Sequence, residues 1–213
     1  MTGPREAPNA DAGRTDAAAG QRLEIPLFPL NTVLFPGGPL PLRIFEARYI
    51  DLVRRCMRDD SGFGVAMILE GREAGGPAQT VDVGSYARIV DFSQQPDGLL
   101  GIETVGGRRF RILERSCAPD GLNIVRVAWL PDEPAVELPD EFAELVPVIE
   151  SVLTQIGGAY ADMDRHVRDA SWVSARLAEI LPVPLVDKQH CLELDDPVER
   201  LRYLRPMFEI SDG

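Results

Sequence analysis

IPLFPLNTVLFPGGPLPLRIFEARY, residues 25–49, decides how this chain is read. Prolines at 26, 29, 36, 39 and 41 exclude a helix, because each lacks an N–H and restricts the residue before it. The density of Leu, Ile and Phe excludes a disordered linker. Extended, kinked chain laid against a core remains, ending in the cluster Arg43, Phe45, Glu46, Arg48 and Tyr49. A helix follows: Tyr49, Leu52, Val53, Cys56 and Met57 recur at helical spacing and form one apolar stripe. Glu46 at its start and Arg54, Arg55 and Arg58 toward its end suit the helix dipole, and Asp60-Ser61-Gly62 stops it.

Downstream the texture is that of strands. FGVAMILE (63–70) is a continuous apolar run, as in a strand buried on both faces. SYARIVDFSQ (85–94) and LLGIETV (99–105) form a hairpin around Pro96-Asp97-Gly98. Gly106-Gly107 is expected to break the second arm, and RRFRILER (108–115) to resume it. Asp120-Gly121 turns the chain into LNIVRVAWL (122–130). Short strands so spaced point to a small closed or half-closed barrel.

After the acidic, proline-bearing stretch 131–140 the period becomes helical. Phe142, Leu145, Val146, Ile149, Val152, Leu153 and Ile156 form a stripe that ends at Gly157-Gly158, with a kink or break expected at Pro147. A second helix is predicted over about 170–181 with Asp169 as N-cap, and a third short one over DKQHCLEL with Asp187 as cap. Asp196-Pro197-Val198-Glu199 opens a fourth, with Leu201, Leu204 and Phe208 turned inward. The organisation read from sequence is a disordered leader over 1–21, a β-rich region over 22–132 and an α-helical region over 139–210.

Composition narrows the function classes. Thirty-four acidic against 22 basic residues give a net charge of −12, which argues against nucleic acid and anionic membranes as partners. Residues 1–21 contain no apolar core of a signal peptide, and no run of about 18 apolar residues occurs, so a cytoplasmic protein is expected. Cys56, Cys117 and Cys191 have no metal-binding spacing and read as reduced thiols, mostly packed. No cofactor or metal is expected. His190-Cys191 beside Lys188 could be imagined as a nucleophile, but Leu192 and Leu194 mark that stretch as core. The acidic pairs Asp59-Asp60, Asp132-Glu133 and Asp195-Asp196 fall at helix ends and loops, where capping and solubility explain them.

Three segments carry a family resemblance: LFPLNTVLFPGGPLPLRIFEARY (27–49), GIETVGGRRFRI (101–112) and SARLAEILPVPLVDKQHCLELDDPVERLRYL (174–204). Together they resemble the N-terminal, substrate-binding domain of ATP-dependent Lon proteases. The resemblance implies an α+β fold, a PUA-like six-stranded pseudo-barrel with one packed helix and then a helical bundle. It also implies a role in engaging protein substrates. Arg43, Phe45, Glu46, Arg48, Tyr49, Arg109, Phe110 and Lys188 fall within its motifs. A Walker A loop is absent, and Lys188 is the sole lysine, so no Ser-Lys peptidase dyad is expected beyond that motif.

The expected function is therefore a free-standing, non-enzymatic binding module for exposed apolar or unfolded polypeptide, as adaptor or regulator in proteolysis. Its partners would be such segments and a separate protease, with weak self-association left open. The alternative is a small-molecule sensor or enzyme on the same scaffold; RNA binding by a PUA-like fold is disfavoured by the charge. Leu34, Phe35, Pro36, Gly37 and Gly38 are the candidate contact loop, although Phe35 is better read as packing beneath the barrel. For Glu46, Arg48 and Arg109 the preferred role is structural, with Glu46 pairing an arginine, Arg109 the suggested one; lining a polar ligand pocket is the other reading.

Overall fold

The computed structural model describes residues 23–73, 78–161 and 163–209; the leader read over 1–21 lies outside them. The proline-rich opening forms two strands, β1 (Leu23–Leu30) and β2 (Pro39–Ile44), joined by the loop 31–38. Helix α1 (Ala47–Asp59) follows and buries Tyr49, Leu52, Val53 and Cys56, while Met57 at the edge of the stripe is exposed. Asp60 ends it in a left-handed conformation, φ 46°. Strands β3 (Phe63–Glu70), β4 (Gln79–Thr80), β5 (Val83–Gln94), β6 (Leu100–Cys117) and β7 (Asn123–Trp129) complete a mixed sheet.

Strand pairing runs β1-β7-β6-β5-β3 and returns to β1, which lies antiparallel to β7 and parallel to β3. The ring explains how β1 tolerates prolines. The two pairings overlap only at Leu27, with β7 on residues before it and β3 on residues after it, so Pro26 and Pro29 each lie where one edge is unpaired and a missing N–H costs little. Strand β2 lies outside the ring on β6, with β4 on β3, so the described residues hold seven strands where six were expected.

The expected break at Gly106-Gly107 is absent. β6 runs unbroken for 18 residues, and the glycines mark a change of partner. One edge of β6 pairs β2 through residues 100–105 and β7 through 110–117, while the other edge keeps β5 across this change of partner, from residue 100 to 111. The register against β5 shifts between Ser85 and Ala87, bending the strand there. At the bend the loop before β2 crosses β6: Gly37 N donates to Gly106 O at 2.7 Å, and Gly106 N to Gly38 O at 2.9 Å. A Cβ on Gly106 would strike the carbonyl of Phe35.

The helical region contains α2 (Leu145–Ile156), α3 (Ala170–Ile180), α4 (Leu185–Glu193) and α5 (Pro197–Glu209). Pro147 causes no internal break. It occupies the first turn of α2, where its N–H would have no helical partner, and the interruption falls earlier, between a 3-10 turn at Asp140–Phe142 and Leu145. Asp169 caps α3 by accepting from Ser171 N at 2.8 Å, and Asp196 caps α5 by accepting from Val198 N at 2.7 Å. Asp187 is not a cap: α4 begins after Pro184, and Asp187 accepts from the Tyr203 hydroxyl at 2.7 Å.

Two apolar clusters hold the molecule together. One joins the ring interior (Ile25, Leu27, Phe110, Val125, Val127) to helix residues including Ile149, Val173, Leu177, Cys191 and Leu201. The other packs α1 on Phe28, Leu30, Ile44, Phe63, Ile102 and Leu122.

Candidate functional site

The proline loop divides by burial. Leu34 and Phe35 are buried in the two cores, and Ser85 Oγ donates to Leu34 O at 2.5 Å, so their side chains offer no surface. Gly38 is buried against Glu179. Pro36 is half-buried and Gly37 exposed, and these two reach the cleft between the strands and the helices.

A buried ion pair on α3 fixes that turn. The guanidinium of Arg176 donates through one nitrogen to Pro36 O and to Glu179 Oε1, both at 2.9 Å, and its Nε lies 2.9 Å from Oε2. Both side chains are buried, 1% and 8% exposed, which only mutual pairing makes tolerable. Burial pushes the Glu179 carboxyl up to about 7 against the opposing pull of Arg176. The Tyr160 hydroxyl donates to it at 3.4 Å, and burial and that carboxylate raise the phenol to about 12. Lys188 Nζ donates to Glu179 O at 2.7 Å, and burial lowers its pKa. Gly37 has φ +73°, and a Cβ on Gly38 would strike the Glu179 carboxylate. The Gly-Gly pair therefore serves close packing of strand loop on helix.

The cleft has a smaller and a larger lobe, connected and sharing Trp172 and His166. The smaller, about 420 Å³, lies between Pro36, Gly107, Arg108 and Pro131–Ala135 on one side and α3 on the other. The larger, about 560 Å³, is bounded by Gly37, Pro39, Val90, Asp91 and Glu103–Val105 from the strands, and by Gly158, Ala159, Met163, Asp164 and Arg176 from the helical region. Its surface is mainly apolar, with Trp172 between the lobes. Such a concave surface can bury the side chains of an extended chain segment.

Beneath the smaller lobe a pair of buried arginines converges. Arg109 donates to the carbonyls of Leu192 at 2.8 Å and Leu194 at 3.0 Å, and pairs with Asp195 at 2.8 Å. Arg200 donates to Cys191 O at 2.7 Å and pairs with Glu133. Glu133, read from sequence as a solvated boundary acid, is instead 12% exposed and joins the linker to α5.

The expected Glu46–Arg109 pair does not form. Glu46 pairs with Arg48 at 2.9 Å, and Arg48 donates to Gly121 O at 2.7 Å, while Arg109 is bound to the helical region. Tyr49 stacks on Phe28 with ring centroids 3.9 Å apart. Phe110 is fully buried, Phe45 is exposed, and Arg43 pairs with Asp97 on the surface. Cys191 is buried, its thiol pushed up to about 11 chiefly by desolvation, and His190 lies against the Tyr203 ring, so this pair is no activated nucleophile. Among the described residues no group of three or more His, Cys, Asp or Glu could hold a metal ion, and no helix is long and apolar enough to cross a membrane.

Sequence reasoning singled out Lys188 and the loop but missed Arg176, Glu179 and Trp172. The available signal was a charged i,i+3 pair inside the otherwise apolar run VSARLAEIL, where two solvated charges would be out of place.

Over residues 24–208 the sequence matches the family described as the ATP-dependent protease La (LON) substrate-binding domain. It is similar to Lon protease 2 of Myxococcus xanthus, 26% identical over 186 residues, covering 84% of this chain and 22% of that protein. It is also similar to Lon protease of Escherichia coli strain K12, 28% identical over 205 residues, covering 89% and 25%. The chain thus spans about a quarter of the length of these curated relatives. A Lon N-terminal domain protein from Xanthomonas campestris superposes with TM-score 0.72 at 37% identity, covering 86% of this chain and 98% of that one. The N-terminal domain of Mycobacterium avium complex Lon protease shares the fold, with TM-score 0.59 at 22% identity, covering 87% and 97%.

Proposed function

This chain belongs to the LON substrate-binding domain family, and from that premise we propose that it is a non-catalytic module that holds exposed apolar segments of polypeptide. It works in the cytoplasm as an adaptor or regulator, presenting such segments to a separate protease. In this reading the strands of 22–132 are the PUA-like pseudo-barrel, 139–210 is a helical subdomain, and the client lies between them.

The observation that supports this most is the cleft itself. Val90, Val105, Met163 and Trp172 offer a mainly apolar surface, and the exposed remainder of the proline loop, Pro36-Gly37, forms a stretch of its wall. Apolar burial supplies the affinity. The outer edge of β5 beyond Ala87 has no strand partner among the described residues and is open to main-chain hydrogen bonds from an extended client.

Trp172 reports the site once Trp129, the other tryptophan, is replaced by Phe. Adding a reduced, alkylated and therefore unfolded protein should change Trp172 emission saturably, whereas its native disulfide-bonded form should not. Equal responses to both forms, or no response to either, contradict the proposal. A volume of about 560 Å³ also suits a small molecule, and a metabolite retained in native mass spectrometry would favour that second reading.

A further inference from the structure

The larger lobe of the cleft has an acidic rim. On the face that borders the cleft, Asp91 of β5 stands directly opposite Glu103 of β6, and Pro41 of β2 completes the row. Two carboxylates facing each other across paired strands repel. Asp164 adds a third carboxylate from the helical side. None of the ion pairs found among the described residues involves Asp91, Glu103 or Asp164.

Arg88, opposite Val105 on the same face, is exposed, forms no ion pair found among the described residues and offsets one of these three charges from outside the lobe's lining, while Arg165 beside Asp164 donates to Tyr160 O at 2.9 Å. Arg176 is held against Glu179 and Pro36 O, and Arg43, two residues along β2 from Pro41, pairs with Asp97. His166 is the other basic side chain on the lining. The smaller lobe differs, because its Arg108 and Asp132 pair with each other at 3.3 Å. Negative charge is therefore concentrated around the apolar surface formed by Val90, Val105 and Trp172.

We propose that this cleft selects extended segments in which apolar side chains are interspersed with arginine or lysine, the cations docking between Asp91, Glu103 and Asp164. This deepens the substrate-binding reading and rests on it. Bound cations would relieve the Asp91–Glu103 repulsion that the free chain carries. The same rim would turn away acidic segments of equal hydropathy, a selectivity that apolar burial alone cannot supply.

Two fluorescent ten-residue peptides test it, alternating leucine and phenylalanine with either arginine or glutamate, titrated by anisotropy. At low salt the arginine peptide should bind about tenfold tighter than the glutamate peptide, the size expected of a few partly exposed charge contacts. Raising the salt should narrow the ratio. Glu103→Gln combined with Asp164→Asn should bring the two peptides to within about twofold of each other, and Glu103→Gln alone should raise thermal stability by removing the cross-strand repulsion. Equal affinity of both peptides for the unaltered chain overturns the charge selectivity while leaving apolar recognition intact. Failure of both peptides and of unfolded protein to bind overturns the underlying reading as well.

Discussion

Glu179 is the side chain on which the Pro36–Gly38 turn closes, and it is held in an unfavourable charge state. Its carboxyl is raised by burial from 4.5 to about 7, with Arg176, Tyr160 and Lys188 as the groups facing it. A folded-state value above the unfolded one means that the native chain takes up this proton first. Its contribution to stability therefore grows as pH falls from about 7 toward 4.5 and is lost as pH rises through 7. Glu179→Gln cannot titrate, so its unfolding free energy should follow pH differently from that of the parent chain inside this window. Parallel curves would contradict the assignment. Glu46 is simpler. Its pair with Arg48 is mostly buried and steadies the arginine that caps the Gly121 carbonyl, so Glu46→Ala should cost about 1 kcal/mol and lower the melting temperature by about 3 °C. An unchanged melting temperature would count against that role. The burial of Tyr49 was legible in IFEARY, because a charged cluster opening an amphipathic helix has to meet a core. The partner of Glu46 was not legible: spacing along a chain says nothing of which distant arginine faces which acid. Arg109 serves the carbonyls at the end of α4 instead.

Among the elements, β6 carries the most information. It is the strand shared by the ring and by the β2 edge, and Gly106 lies where it passes from one partner to the other. A methyl group there meets the Phe35 carbonyl, which is backbone and cannot swing away, whereas at Gly107 the nearest atom, Tyr86 O, is 3.3 Å from the added carbon. Gly106→Ala should therefore cost about 2 kcal/mol or more in denaturant unfolding and exceed the cost of Gly107→Ala. The reverse order would place the strain elsewhere. Most elements were readable from the sequence, since hydrophobic period, Asp-Gly turns and the Asp169 and Asp196 caps act locally. Continuity across Gly106-Gly107 was not, because a glycine pair looks the same whether it ends a strand or lets another backbone cross it. The first-turn position of Pro147 was missed for a related reason: a proline reads as a breaker until the start of its helix is known.

For the whole molecule, the site belongs to no single element. The cleft is assembled from 36–39, 90–91, 103–109, 131–135, 158–159 and 163–176, segments brought together only by tertiary packing, so the sequence exposed its family but not this cleft. Leu34 and Phe35, the most apolar residues of the predicted loop, went to the core, and only Pro36 and Gly37 reach the cleft. Part of the acidic excess lies here, with three acids that form no ion pair found among the described residues bordering an apolar surface. Hydrogen exchange of the full chain, with and without a saturating unfolded protein, tests the central claim most directly. The account predicts new protection confined to 36–39, 88–94 and 158–176. Protection absent from these segments while the unfolded protein is demonstrably bound, or confined to the far side around α1, would contradict it.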